Sequence, residues 1–167
     1  MDCTLPQEMI ELATRVVEAH REAGTKIALA ESCTGGLVCA ALTEVPGSSA
    51  VFDRGFVTYS NEAKMEELEV PSDLIETFGA VSVAVAWSMA QGAIKHSEAD
   101  VAVAITGIAG PDGGTEKKPV GTVVFAKAKR SQGADQEPEA ELKKFECNGR
   151  GDVRRQAALC ALELLLP

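Results

Sequence analysis

Histidine, aromatic rings and basic charge are all scarce in this 167-residue chain, and each shortage removes a class of function. The two histidines, His20 and His96, both fall in stretches that read as helix among polar neighbours. A Ser-His-Asp triad therefore lacks its base. Aromatic residues make up 4% of the chain, so the core must be built from Ala, Val, Leu and Ile. That favours helices packed closely on a sheet over an aromatic face for stacking bases. Lys and Arg number 16 against 25 Asp and Glu, a formal net charge of -9 at pH 7, which argues against general nucleic-acid binding. A local pocket can still hold one small anion.

Other signatures are missing as well. The five cysteines, Cys3, Cys33, Cys39, Cys147 and Cys160, form no CxxC pair, and none stands near a histidine at metal-ligand spacing. No metal site is expected, and the thiols read as reduced. No apolar run reaches membrane-spanning length, and Met1 to Pro6 has neither a basic nor an apolar leader region. The expectation is a soluble, cytoplasmic protein with no membrane or nucleic-acid partner. No P-loop and no dinucleotide fingerprint is present.

What remains is a regular alternation. Pro6 precedes Met9, Ile10, Leu12, Ala13, Val16, Val17 and Ala19 at helical spacing, and Gly24 ends that helix. Ile27 to Ala30 reads as a buried strand, Leu37 to Thr43 as a helix, and Val51 to Tyr59 as a strand. Asn61 to Glu67 and the segment after Pro71 read as short helices. The Ala-rich stretch Val81 to Ile94 reads as a helix, Val101 to Ile105 as a buried strand, and Val120 to Ala128 as the next one. Arg130 to Glu141, polar and without apolar anchors, reads as a mobile hairpin connection. Leu142 to Cys147 then pairs antiparallel, and Val153 to Leu166 closes the chain as a helix. The pattern predicts an α/β fold, a three-layer α/β/α single domain spanning 1–167.

Three unusual segments each follow a predicted strand, at the carboxyl ends where open α/β sheets bind ligands. The first is Ala30-Glu31-Ser32-Cys33-Thr34-Gly35-Gly36. A hydroxyl at a strand-to-helix turn lies beside N–H groups without intrahelical partners. It can act as a nucleophile whose oxyanion finds donors in place, it can bind phosphate, or Ser32 or Thr34 can simply cap the helix. The second segment is Thr58-Tyr59-Ser60-Asn61-Glu62-Ala63-Lys64. A serine needs a base, and a lysine supplies one if burial keeps its amine neutral. Lys64 is the candidate base, with Tyr59 to relay the proton or orient the amine; a solvated helix lysine is the plain alternative. The third is Thr106-Gly107-Ile108-Ala109-Gly110-Pro111-Asp112-Gly113-Gly114, whose glycines allow close backbone approach to a ligand or merely form a flexible turn. Arg150, Arg154 and Arg155 open the last helix against its dipole, suited to gripping an anion or else forming a solvated face.

Taken in order, these motifs, together with Lys118-Pro119-Val120-Gly121-Thr122-Val123, resemble the CinA C-terminal family over nearly the whole chain. The resemblance implies a mixed, mostly parallel five-stranded sheet and a homodimer or higher homo-oligomer. It implies hydrolysis of the carboxamide of nicotinamide mononucleotide, with Ser32, Tyr59 and Lys64 as the catalytic set and no cofactor. The substrate-binding residues expected beside them are Thr34, Gly35, Gly36, Asn61, Thr106, Gly107, Ala109, Gly110, Gly113, Gly114 and Arg150. One departure stands out: Asn148-Gly149-Arg150 replaces the family's Gly-Asp-Arg. Two other readings stay open: Cys33 as the nucleophile at the helix start, and a catalytically silent nucleotide-binding or interaction module.

Overall fold

Residue size sorts the two faces of the central sheet. In the computed structural model, which describes residues 3–133 and 135–167, five strands are ordered β2-β1-β3-β4-β5. They are β1 (Ile27–Glu31), β2 (Phe52–Val57), β3 (Val101–Gly107), β4 (Thr122–Lys129) and β5 (Glu139–Lys144). Ile27, Leu29, Val103, Ile105, Val123 and Phe125 point to one face, where they meet α1 (Gln7–Ala23), α2 (Leu37–Thr43) and α6 (Arg150–Leu165). Ala28, Ala30, Ala102, Ala104 and Ala126 point to the other. There the small side chains let α5 (Val83–Lys95) lie close, with α3 (Asn61–Leu68) and α4 (Ser72–Phe78) packed beside it. This is the expected α/β/α arrangement, and the central β1 is buried along its full length.

Strand direction decides what reaches the site. β2, β1 and β3 are parallel, so their carboxyl ends share one edge. β4 runs back antiparallel to β3, and β5 returns antiparallel to β4. β5 therefore delivers the start of α6 to the same edge as the ends of β1, β2 and β3. Between Ile27 and Ala28 the β1–β2 register shifts, so that Asp53 is skipped. The bulge turns Phe52 toward one core and Phe56 toward the other, although an even spacing would place both on one face.

The largest departures from the sequence expectation are at β5 and α6. β5 occupies Glu139–Lys144 rather than Leu142 to Cys147. It is an edge strand with little buried surface, so pairing with β4 fixes its register and its own apolar pattern does not. The strand thus claims the end of the segment read as a connection, within which Ala134 lies outside the described residues, as do Met1 and Asp2 at the start. α6 begins at Arg150, three residues before its first buried apolar side chain, Val153.

Candidate active site

Ser32 follows β1 directly and is held at both ends of its own backbone. Its N–H donates to the Ile105 carbonyl at 2.9 Å, and its carbonyl accepts the Gly35 N–H at 3.0 Å. Its hydroxyl does not cap α2. That task falls to Glu31, whose two carboxyl oxygens accept the N–H groups of Val38 (3.0 Å) and Cys39 (3.1 Å). Glu31 is fully buried, and nothing in the sequence pattern distinguished it from a strand-end residue facing solvent. The helix-capping alternative for Ser32 and Thr34 is thereby replaced: the N-cap position, Gly36, has no side chain, and the acid reaches over it.

Lys64 comes from the first turns of α3, a helix started by the Ser60 hydroxyl accepting the Ala63 N–H. It is 1% exposed. Its Nζ lies 3.1 Å from Ser32 Oγ, 2.8 Å from the Thr58 carbonyl and 3.4 Å from the Tyr59 carbonyl. No carboxylate pairs with it among the described residues. Burial therefore pulls its pKa below the ordinary lysine value. With the amine neutral, its two N–H bonds can serve the two carbonyls, and the lone pair then faces the Ser32 hydroxyl.

Tyr59 enters differently from the expected proton relay. Its side chain is 60% exposed, and its hydroxyl accepts a bond from Arg150 Nη2 at 2.7 Å. What Lys64 receives from this residue is the main-chain oxygen. The cause is alternation carried past the end of β2: Thr58 is buried and Tyr59 exposed. Arg150 also donates from Nη1 to the Gly110 carbonyl at 2.6 Å, joining the glycine-rich loop to the Tyr59 segment. The three strand-end segments therefore converge, and α6 ties them together.

They enclose a cleft of about 270 Å³. Of the residues expected there, Ser32, Tyr59, Asn61, Lys64, Thr106, Gly107, Ala109, Gly110, Gly113 and Arg150 line it. Thr34, Gly35, Gly36 and Gly114 do not. Gly114 instead packs against the Val120 backbone, where an added Cβ would lie 2.7 Å from the Val120 nitrogen. The Thr106 hydroxyl is turned onto the Ala80 carbonyl at 2.9 Å. That bond brings Ala80 and Val81 into the wall, a contribution no local motif signalled. Asp112 and Ile108 of the glycine-rich loop complete the lining.

The remaining candidates separate cleanly. Cys33 borders the cleft, but burial pushes its thiol up to about 11, so a thiolate is disfavoured. His20, expected near a surface or helix end, is buried and bridges the Leu165 carbonyl (2.6 Å) and the Thr25 hydroxyl (2.7 Å). His96 contacts Glu69. Arg155 forms ion pairs with Glu8 and Asp152 on the surface. Arg154 donates to the carbonyls of Cys33 and Thr34, each at 3.1 Å. A larger hollow of about 360 Å³ lies between α5 and the β4–β5 connection. Its arginine, Arg130, is already spent on the carbonyls of Ile94, Ser97 and Ala99.

The model of the CinA C-terminal domain matches residues 9–167. The chain belongs to that family. It is 48% identical to the nicotinamide-nucleotide amidohydrolase PncC of Escherichia coli K12 over 161 residues, covering 95% of this chain and 93% of that protein. A competence-damage inducible relative from Symbiobacterium thermophilum is 50% identical over 97% of this chain, which spans only 37% of that longer protein. Among solved structures, the competence/damage inducible protein CihA from Agrobacterium tumefaciens superposes with a TM-score of 0.92 at 44% identity, covering 98% of this chain and 97% of that one. This CinA-family fold therefore occurs both as nearly all of a protein and as about a third of one. Among the described residues, no helix is long and apolar enough to cross a membrane.

Proposed function

We propose that this chain, as one amidase domain, hydrolyses the carboxamide of nicotinamide mononucleotide to nicotinate mononucleotide and ammonia. The observation that carries the reading is the 3.1 Å contact between a serine hydroxyl at the cleft wall and a buried lysine amine that has no acidic partner among the described residues. The name of the Escherichia coli relative supports the choice of substrate.

Ser32 Oγ attacks the carboxamide carbon while neutral Lys64 takes the hydroxyl proton. The carbonyl π pair moves onto oxygen, forming a tetrahedral oxyanion. The N–H group of Cys33, the residue next to Ser32 in the cleft wall, donates to no protein group among the described residues and is the donor available to it. Lys64 returns its proton to the amide nitrogen, the C–N bond breaks, and ammonia leaves an ester on Ser32. Water then attacks that ester with the same amine as base, releasing the acid and restoring the hydroxyl. Arg150, Asn61 and the glycine-rich loop hold the ribose and phosphate. The chemistry calls for no cofactor. The reaction takes place in the cytoplasm, in a homodimer or larger homo-oligomer, which sedimentation velocity tests directly.

The decisive assay is ammonia release from nicotinamide mononucleotide by wild type and Ser32→Ala. Wild type should turn over, and the variant should bind nucleotide while releasing none above background. Turnover by Ser32→Ala comparable with wild type removes the nucleophile; binding without turnover by wild type removes the amidase.

A further inference from the structure

Two charged side chains grip the short turn that carries the nucleophile, from opposite chemical directions. Glu31 takes N–H groups of residues 38 and 39, in the first turn of α2 just beyond it. Arg154 takes carbonyls of residues 33 and 34, at the near end. Its guanidinium lies against Gly35, where an added Cβ would stand 3.5 Å from Nη2. Gly35 and Gly36 both have positive φ, 58° and 98°, so the turn follows a path that most side chains resist.

The two carbonyls held by Arg154 belong to particular peptide units. The Cys33 carbonyl shares its peptide with the Thr34 N–H, which donates to no protein group among the described residues. The Thr34 carbonyl shares its peptide with the Gly35 N–H, which holds the Ser32 carbonyl at 3.0 Å. A cation on a peptide oxygen polarises the whole unit and strengthens its N–H as a donor. Arg154 therefore acts on the bond that fixes the serine backbone. Arg155, one residue along, instead pairs with the surface acids Glu8 and Asp152.

We infer that Arg154 is a positioning residue for the proposed amidase reaction, fixing the turn 33–36 and, through the Gly35 N–H, the backbone of Ser32. The inference rests on that reaction. It predicts a defect in the chemical step, with substrate binding and the titration of Lys64 left as they are.

The test uses the full chain with nicotinamide mononucleotide, comparing wild type, Arg154→Ala, Arg154→Lys and Arg155→Ala. Arg154→Ala should lower kcat on the order of 100-fold, the scale of a misplaced reacting group. KM and the pH at which activity rises should move little. Methylguanidinium, which can occupy the vacated space and restore the forked donor, should recover at least a tenth of the lost rate. Arg154→Lys should stay impaired because an ammonium lacks the fork. Arg155→Ala should match wild type. A kcat for Arg154→Ala within threefold of wild type overturns the inference, as does a loss carried by KM alone. If Arg154→Ala does not fold, Arg154→Lys carries the same comparison.

If wild type releases no ammonia, the amidase reading fails by itself, and phosphonylation of Ser32 by a fluorophosphonate decides the inference. In that reaction the Oγ–P bond forms, fluoride leaves, and Lys64 takes the proton. Slower labelling of the Arg154 variants, followed by mass spectrometry, supports the inference. Equal rates, or a wild-type Ser32 that does not label at all, overturn it.

Discussion

Replacing Lys64 by methionine isolates the chemistry of one nitrogen atom. Methionine fills nearly the same volume in a site that is already apolar enough to disfavour an ammonium. The substitution leaves the carbonyls of Thr58 and Tyr59 without their donor, a loss on the order of 1–3 kcal/mol. Removal of a buried amine that must otherwise lose its proton offsets part of it. The fold should therefore survive. Catalysis should not, because no other titratable side chain is hydrogen-bonded to Ser32 Oγ among the described residues, and both histidines are engaged elsewhere. General-base assistance is worth about 10²–10⁴-fold, or roughly 3–5 kcal/mol of barrier. Ammonia release from nicotinamide mononucleotide should show kcat/KM down by that factor, with nucleotide affinity by calorimetry little altered. Lys64→Arg should be equally inactive, since a guanidinium does not give up its proton near neutral pH. In wild type the rate should rise with pH through the depressed amine pKa and then level off, because only the neutral amine accepts the serine proton. A Lys64→Met enzyme retaining more than a tenth of wild-type kcat/KM would refute the scheme.

The same amine has a stability signature. Between its lowered folded value and the ordinary lysine value the unfolded chain binds more protons, so wild type should gain stability relative to Lys64→Met as pH rises through that window; urea unfolding at several pH values reads this out. Tyr59→Phe removes the hydroxyl that Arg150 holds, and KM should rise a few-fold while the pH profile keeps its shape; a displaced pH limb would place the phenol in the proton path after all. Cys33→Ala should remain active and wild type should resist iodoacetamide, since a thiol near 11 leaves about one part in ten thousand as thiolate at pH 7; inactivation of Cys33→Ala would reinstate the thiol. Gly92→Ala should destabilise although alanine is the better helix former by about 1 kcal/mol, because its Cβ would fall on the Leu68 carbonyl of α3. Overpacking against a backbone costs roughly 1–3 kcal/mol, so melting should drop by several degrees, whereas an unchanged or raised Tm would show that α3 yields freely.

Much of this molecule is legible in one dimension because its signals are local. The unalternating runs at Ile27 and Val101 announce covered strands, Gly24 announces a helix end, and three odd segments after strands announce a shared edge. The shortage of histidine made Lys64 the base worth considering. The roles that were not legible depend on contacts between distant residues. Glu31 looks like any acid after a strand until α2 folds over it, and Arg154 looks like a solvated helix residue until α6 docks 120 residues away from Thr34. Tyr59 differs for another reason: alternation carried past the end of β2 turns its ring outward, and the amine meets its carbonyl. β5 was displaced because an edge strand takes its alignment from its neighbour.

The bulge that skips Asp53 has a reach well beyond its own turn of chain. It sets the parity of the rest of β2, and the alternation carries past the end of the strand to buried Thr58 and exposed Tyr59. An insertion or deletion between Phe52 and Arg54 would thus be felt a whole strand length away, as a reactive pair dealt the wrong neighbours. Genetic tolerance at that remote end of the sheet should track enzymatic output more closely than it tracks folding yield.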